Sequence, residues 1–315
     1  MQHTRRPCRF NAFLGLLLVL GTVGGAVRAD QDDDAAACQG IATQHAAERD
    51  SKQLNPRSLS FFLFDAAENG CTALVEQFLA EGASVKARNR IGNTALIIAA
   101  RMGHADTVDL LLARGSEINF PNLNGVTPLL AAATRDRVPI VKTLLAAGAD
   151  AAIADNRGVT PLIAAAYEGN TATAKLLIES GADARVVDET GKGALVYAAG
   201  HGSAAVVALL LGAGLDVNQR YSNDLTALMW AAGHSDDVET TEGIATVELL
   251  LAKGAEVDLA DNRGRTALMI AAERGHAEIV ARLLAGGADL SRRDNAGKSA
   301  AELAADDAVR TALVR

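Results

Sequence analysis

Residues 155–166 read Asp155-Asn156-Arg157-Gly158-Val159-Thr160-Pro161-Leu162-Ile163-Ala164-Ala165-Ala166, and the unit that they open closes at Gly181. The residues at the position of Thr160 recur at steps of 33 with one step of 40, as Thr94, Thr127, Thr160, Gly193, Thr226, Thr266 and Ser299. The closing glycines keep the same spacing, as Gly82, Gly115, Gly148, Gly181, Gly214, Gly254 and Gly287. One step of 40 among steps of 33 predicts a single insertion of 40 − 33 = 7 residues between Thr226 and Gly254.

Elementary helix chemistry explains the unit. The Thr160 hydroxyl can cap a helix N-terminus, and Pro161 fits the first helical position, where no amide donor is missed. The alanines that follow keep this first helix thin, so a neighbouring unit can approach closely. A second helix carries apolar residues at i, i+3 and i+4, which gives one buried stripe, and a glycine supplies its left-handed C-cap. One unit cannot bury its own apolar face, so the units are predicted to stack into a solenoid.

A 33-residue period with a Thr-Pro-Leu and Ala-Ala core resembles the ankyrin-repeat family over residues 59–315. The resemblance implies an all-α solenoid of helix-turn-helix units with short projecting β-hairpin turns. It implies about seven repeats and a degenerate, polar C-terminal cap at residues 294–315. One departure is that apolar residues replace the family's usual histidine after Thr-Pro-Leu: Ile97, Leu130, Ile163, Val196, Met229 and Met269. Gly193 and Asp224 also depart from the pattern, so repeats five and six are predicted to be the softest.

Residues 1–29 predict a secretory signal. Three arginines precede a short apolar run over residues 13–20, and Val27-Arg28-Ala29 supplies a cleavage site ahead of Asp30. An uncleaved membrane anchor is the alternative. No later stretch approaches the roughly 20 apolar residues that a membrane span needs. The mature chain is therefore expected to be periplasmic or secreted, with no membrane insertion.

Residues 30–58 are predicted to form a leader with a capping helix over residues 35–49, followed by a break at Asn55-Pro56. The first repeat is rich in phenylalanine, which suits a terminal repeat that seals the core. Cys38 in the leader and Cys71 in the first repeat can form a disulfide in an exported protein. Two separate thiols remain the alternative.

The charge balance argues against nucleic-acid binding. Removing residues 1–29 takes away four arginines and no acids, so the formal net charge falls from −8 to −8 − 4 = −12. Phosphate contacts require a basic surface, which an acidic chain with few aromatic residues does not offer. It also offers no general attraction to anionic membranes.

No catalytic pattern stands out, and we expect no catalytic residues, no cofactor and no bound metal. His104 and His276 follow the glycine of the inter-helix turn and are interpreted as structural. His201 and His234 lie 33 residues apart, so stacking predicts that they are neighbours. A metal site with the nearby aspartates is the remote alternative, and it would point to a metal-dependent hydrolase.

The resemblance implies a partner-binding surface formed by the projecting turns and the ends of the first helices. Carried over to this sequence, it comprises Arg90, Ile91, Asn93, Arg101, Met102, Leu123, Asn124, Val126, Arg135, Asn156, Arg157, Val159, Tyr167, Glu168, Lys192, Asn223, Leu225, Arg263, Arg265 and Arg274. Arginine and tyrosine are favoured in binding hot spots. Several arginines on an acidic body favour a partner with an acidic or carbonyl-rich patch. Tyr197 and Trp230 are instead predicted to be core, because mostly apolar residues share their position in the other repeats.

The predicted function is therefore a non-catalytic, monomeric protein-binding module that holds a partner protein of the cell envelope. An inhibitor or immunity protein of a secreted or periplasmic enzyme is the alternative. The insertion within residues 233–243 is either a partner-specific loop or a tolerated one.

Overall fold

The protein is seen in a computed structural model that describes residues 26–234, 238 and 240–314, with side chains from residue 35 to 313 apart from 235–237, 239 and 240. The helices in this part of the chain are α1 (Ala26–Asp50), α2 (Pro56–Glu68), α3 (Thr72–Ala80), α4 (Ala95–Met102), α5 (Ala105–Ala113), α6 (Pro128–Thr134), α7 (Val138–Ala146), α8 (Pro161–Tyr167), α9 (Thr171–Glu179), α10 (Ala194–Gly200), α11 (Ala204–Gly212), α12 (Ala227–Ala232), α13 (Thr240–Ala252), α14 (Ala267–Arg274), α15 (Ala277–Ala285), α16 (Ala300–Leu303) and α17 (Asp307–Val314). A 3-10 turn occupies Ser222–Asp224.

From α2 onwards the helices form two layers. Each even-numbered helix packs on the next even-numbered helix, and each odd-numbered helix packs on the next odd-numbered one. The two helices of a repeat also pack on each other, so contacts are made within a repeat and with its neighbours. This arrangement confirms the predicted all-α solenoid.

The first helix of most repeats begins at a hydroxyl cap. The Thr160 side chain accepts a hydrogen bond from the Ile163 amide at 3.3 Å, and five other repeats use Thr94, Thr127, Thr226, Thr266 and Ser299 in the same way. The predicted capping is thereby confirmed. Gly193 has no side chain to make this bond at the start of α10, and the predicted softness of that repeat stays a prediction.

The turns that project between repeats are held by their first residue. The Asp155 carboxylate Oδ1 accepts from the amides of Arg157 and Val159, each at 2.9 Å. Successive turn tips are also hydrogen-bonded to each other. For example, the Asn156 amide donates to the Asn124 carbonyl at 2.9 Å. Among the described residues these turns form no strands, only two isolated antiparallel bridges.

The core lies between the two layers of helices, and the first helix of each repeat contributes small residues to it. Ala132, Ala133, Ala165 and Ala166 are fully buried, so adjacent first helices approach closely. The outer helices bury their predicted stripe, for example Val141 and Leu144 of α7 and Leu177 of α9. Burial of these apolar stripes between neighbours is the main stabilising contribution to the stack.

The first repeat is covered by α1. A disulfide joins Cys38 of α1 to Cys71, with the two Cα atoms 5.5 Å apart. The buried His45 ring packs on Phe62 and Phe78 with centroids 5.4 and 4.7 Å away, and its Nε2 lies 2.6 Å from the Glu81 carboxylate. These contacts hold the leader against the end of the core.

Three details differ from the sequence predictions. The helix of the leader begins at Ala26 and not near residue 35, whereas residues 1–25 of the predicted signal lie outside the described residues. Phe61 is 47% exposed, unlike its neighbours Phe62 and Phe64. Part of the insertion adds a turn to α13, which has 13 residues where most of the other outer helices have nine; residues 235–237 and 239 lie outside the description.

Candidate functional site

Among the described residues, a groove of about 570 Å³ lies on the concave side of the stack. It extends from the turn at Ile91 to Tyr197, across the inner helices α4, α6 and α8. Its lining comprises Ile91, Asn93, Ile97, Arg101, Asn122, Asn124, Val126, Leu130, Ala131, Thr134, Arg135, Asp155, Arg157, Val159, Ile163, Ala164, Tyr167, Glu168 and Tyr197. Its volume lies in the range of ordinary ligand-binding sites.

Small residues at one repeat position make room for this groove. The fourth residue after the helix cap lines the groove at Ala131, Ala164 and Tyr197. In successive repeats this residue is Ile98, Ala131, Ala164, Tyr197, Trp230, Ile270 and Leu303. Only Ala131 and Ala164 are small, and both line the groove. The groove is therefore open at the two neighbouring repeats in which alanine occupies this position.

The floor of the groove is apolar and its rim is cationic. Val126, Leu130, Val159 and Ile163 contribute the floor beside the two alanines. Three arginines line the edge: Arg101, Arg135 and Arg157. A ligand in the groove would meet hydrocarbon below it and guanidinium groups at its side.

The three guanidinium groups differ in how far they are neutralised. Arg101 lies 3.5 Å from the Glu68 carboxylate, and Arg157 donates from Nε and Nη2 to Asp155 Oδ2 at 3.1 and 2.9 Å. The Arg157 side chain is nevertheless 78% exposed. Arg135 is exposed, and no acidic side chain in the described part of the chain pairs with it. Asp155 and the exposed Glu168 also line the groove, so its guanidinium groups exceed its carboxylates by 3 − 2 = 1, which leaves a small excess of positive charge.

An aromatic wall closes the groove at repeat five. The Tyr197 ring lies edge-on to Tyr167 with centroids 5.6 Å apart, and its hydroxyl donates to Asp188. The Lys192 ammonium lies 5.7 Å from the Tyr197 ring centroid and 5.0 Å from that of Trp230. Tyr197 and Trp230 pack against the core, as predicted, but both are only half-buried. Tyr197 also lines the groove, which the sequence did not predict.

Asp188 holds the Tyr197 ring of this aromatic wall in place. Burial of the Asp188 carboxylate raises its pKa, but hydrogen bonds from the Tyr197 and Thr190 hydroxyls and from the Lys192 and Thr190 amides outweigh burial, so its pKa lies below the ordinary 3.8. Burial and the bond to Asp188 raise the pKa of Tyr197 above the ordinary 10.0. Both shifts keep Asp188 ionised and Tyr197 protonated at neutral pH.

Asp188 is therefore expected to make the free energy of unfolding depend on pH in the acid range. Because its pKa is lower in the folded than in the unfolded chain, its contribution is complete above pH 3.8 and is lost as the pH falls through the folded value. Replacing Asp188 by asparagine removes the acceptor for Tyr197 and should lower the free energy of unfolding by about 1–3 kcal/mol at pH 7. The difference between the two proteins should shrink at pH 3 in urea titrations. Glu189→Gln, at an exposed neighbouring carboxylate, is the matched control; an equal effect of both changes would contradict the role of Asp188.

The groove brings together part of the predicted partner-binding surface. Its predicted members are Ile91, Asn93, Arg101, Asn124, Val126, Arg135, Arg157, Val159, Tyr167 and Glu168. Among these, Asn93 is only 3% exposed, and its Oδ1 accepts a hydrogen bond from Asn122, so it holds the turn.

The remaining predicted residues lie outside the groove. Met102 and Leu123 are exposed beside it, and so are Arg90 and Asn156. The rest belong to repeats five to seven, beyond or within the aromatic wall: Lys192, Asn223, Leu225, Arg263, Arg265 and Arg274. Arg265 is only 12% exposed and its Nη1 is 2.6 Å from Glu273.

The sequence predictions omitted several lining residues: Ile97, Asn122, Leu130, Ala131, Asp155, Ile163, Ala164 and Tyr197. One signal could have found the centre of the groove. Ala131 and Ala164 are the only alanines at a position otherwise filled by larger residues.

His201 and His234 contact different partners. The His201 ring lies 4.2 Å from Tyr167, and the His234 ring stacks on His276 at 4.1 Å. Within the described residues no group of three or more histidine, cysteine, aspartate or glutamate side chains is arranged to hold a metal ion. No helix in this part of the chain combines the length and apolar character needed to cross a bilayer.

Stacked helix pairs with projecting turns and a concave groove are the architecture of a helical repeat solenoid. The family described as ankyrin repeats (3 copies) matches residues 63–155, 144–221, 162–240 and 240–313. The chain belongs to the ankyrin-repeat family, whose repeats generally serve as protein-interaction modules and are typically non-catalytic. No curated protein matches the chain in sequence.

Proposed function

We propose that this protein is a non-catalytic module that binds a partner protein in the concave groove, and that it works in the periplasm or outside the cell. The observation that carries the proposal is the groove itself, with an apolar floor, three arginines at its rim and tyrosines at one end. Arginine and tyrosine provide large contact area together with directed hydrogen bonds. The partner is a protein of the cell envelope, and the module acts as a monomer.

Two features support an extracytoplasmic location. The basic and apolar segment at residues 1–29 has the order of a secretory signal. The Cys38–Cys71 disulfide suits an oxidising compartment, because cytosolic thiols are kept reduced. Cell fractionation of the source organism tests this part directly: recovery of the full chain in the cytosol, with residues 1–29 still attached, would contradict it.

The binding surface is tested by charge reversal within one repeat. Arg135→Glu places an acid at the rim of the groove, whereas Lys142→Glu makes the same change on the exposed outer helix α7. With a photoreactive phenylalanine analogue at Tyr167, irradiated envelope fractions should yield one cross-linked partner. Arg135→Glu should reduce its yield about tenfold or more, while Lys142→Glu should leave it unchanged.

Equal yields from the two charge reversals would refute binding at the groove. The partner recovered also decides between two roles, a holding factor and an inhibitor. If it is an enzyme whose activity falls on addition of the purified protein, and recovers with Arg135→Glu, the module is an inhibitor or immunity protein.

A further inference from the structure

We infer that the groove recognises one large apolar side chain of an extended peptide segment, together with a carboxylate on an adjacent residue of that segment. This inference rests on the proposed function and specifies the chemistry of the partner. It assigns the anchor to the space over Ala131 and Ala164 and the carboxylate to Arg135 and Arg157.

The space for an apolar anchor follows from the pattern of one repeat position. Side chains as large as isoleucine, tyrosine and tryptophan occupy this position in other repeats, at Ile98, Tyr197 and Trp230. Since Ala131 and Ala164 lack that volume, the neighbouring floor residues Leu130 and Ile163 line an open space. A partner side chain of similar size would occupy the position that this protein's own side chains fill elsewhere.

The aromatic wall limits the groove to a short segment. Tyr197 is held by its hydrogen bond to Asp188, and the Lys192 ammonium lies over both Tyr197 and Trp230. A ligand that enters from the side of Ile91 therefore meets a fixed obstacle at repeat five. This geometry suits one anchor on a short extended segment better than a long helix laid along all the repeats.

The excess of arginine in the groove favours an acidic neighbour, because three guanidinium groups line it against the carboxylates of Asp155 and Glu168. Both Asp155 oxygens are already occupied, Oδ1 by two backbone amides and Oδ2 by Arg157. Asp155 therefore repels an incoming anion little, while Arg157 stays 78% exposed. Arg135 is exposed and forms no ion pair within the described residues. A guanidinium can bind a carboxylate with two parallel hydrogen bonds, which also fixes the register of the peptide.

The inference is tested with an array of capped seven-residue peptides. Each peptide carries one central phenylalanine, leucine, tryptophan or alanine, flanked by aspartate or by asparagine. Binding to the full chain is measured by fluorescence anisotropy. Peptides with both features should bind about tenfold or more tightly than those that carry alanine or asparagine instead.

Matched variants separate the two halves of the site. Ala164→Leu should abolish the preference for a large central residue, because leucine fills the anchor space, whereas Ala146→Leu at the exposed end of α7 should have no effect. Arg135→Gln should weaken the preference for aspartate, since only Arg157 then remains to bind the carboxylate, and Lys142→Gln should leave the preference unchanged. Ala131→Leu serves as the second filling variant, and thermal melting verifies that each variant is folded.

Each outcome has a defined meaning. The inference would be overturned if peptides with a central alanine and flanking asparagine bound as tightly as the others. It would also be overturned if Ala164→Leu and Ala131→Leu, in folded protein, left the peptide affinities unchanged. Equally tight binding of N-acetylphenylalanine alone would overturn it as well, because the groove would then be a small-molecule site. If Arg135→Glu abolishes cross-linking to the partner while the filling variants do not, only the inference fails and the proposed function stands.

Discussion

Replacing Gly125 by alanine is expected to lower the free energy of unfolding by about 2–5 kcal/mol, although only one methyl group is added. Gly125 has φ +83°, and a Cβ atom there would lie 2.7 Å from the Asn156 amide nitrogen and 2.8 Å from the Asp155 Cα. The left-handed conformation costs an L-residue roughly 1–2 kcal/mol, and overpacking against fixed backbone typically adds 1–3 kcal/mol. The turn tips of two repeats would have to move apart.

Gly148→Ala is the matched control for this change. Gly148 has φ +89°, yet a Cβ atom there meets nothing within 4 Å. This variant should lose only the conformational part, about 1–2 kcal/mol. Urea titrations give the free energy of unfolding of each variant, and the difference between the two values measures the contribution of the contact between turns. If both variants lose the same stability, the turn tips do not constrain each other.

Loss of the Cys38–Cys71 disulfide is expected to lower stability by about 3–4 kcal/mol. The bond joins residues separated by 33 positions, and closing a loop of that length restricts the unfolded chain by roughly this amount. The paired change Cys38→Ala and Cys71→Ala should loosen α1 first, because only non-covalent contacts, chiefly those of His45 and Ile41, then hold it on the first repeat. Amide hydrogen exchange should therefore accelerate mainly over residues 35–50.

Reductant provides the control for the disulfide. It should lower the melting temperature of the natural sequence to that of the double alanine variant and leave the variant unchanged. A natural protein whose melting temperature and exchange rates do not respond to full reduction would show that the non-covalent contacts alone position α1.

Much of the fold could be predicted because each repeat repeats the same local chemistry. Thr160 predicted a capped helix start, and its hydroxyl accepts the Ile163 amide. Gly148 and Gly181 predicted left-handed helix ends, and both have positive φ. Since repeats contact mainly their neighbours, these local rules extend to the whole stack without any long-range information.

The candidate site could be predicted only in part. The turns and helix ends at Arg135, Arg157 and Tyr167 were identified, because their positions follow from the repeat. The resemblance implied a partner-binding surface from the turns and first helices of most repeats, whereas the lining of the groove ends at Tyr197. That end depends on where Tyr197, Lys192 and Trp230 direct their side chains across two repeats, which periodicity does not specify.

The insertion was also predicted incompletely. Its length follows from the one step of 40, but its conformation does not. Part of it continues α13 as a regular helix, since Thr240–Ala252 contains no proline and the helix tolerates its one interior glycine, Gly243. A count of residues cannot distinguish a longer loop from a longer helix.

The disulfide-bonded end of the stack adjoins the end at which the groove begins. Glu68 of the first repeat lies 3.5 Å from Arg101 on the rim of the groove, so the repeat that α1 covers also supports this edge. Solenoids fray from their ends inward. The disulfide thus tethers the terminus whose melting would first disorder the edge of the groove at Arg101.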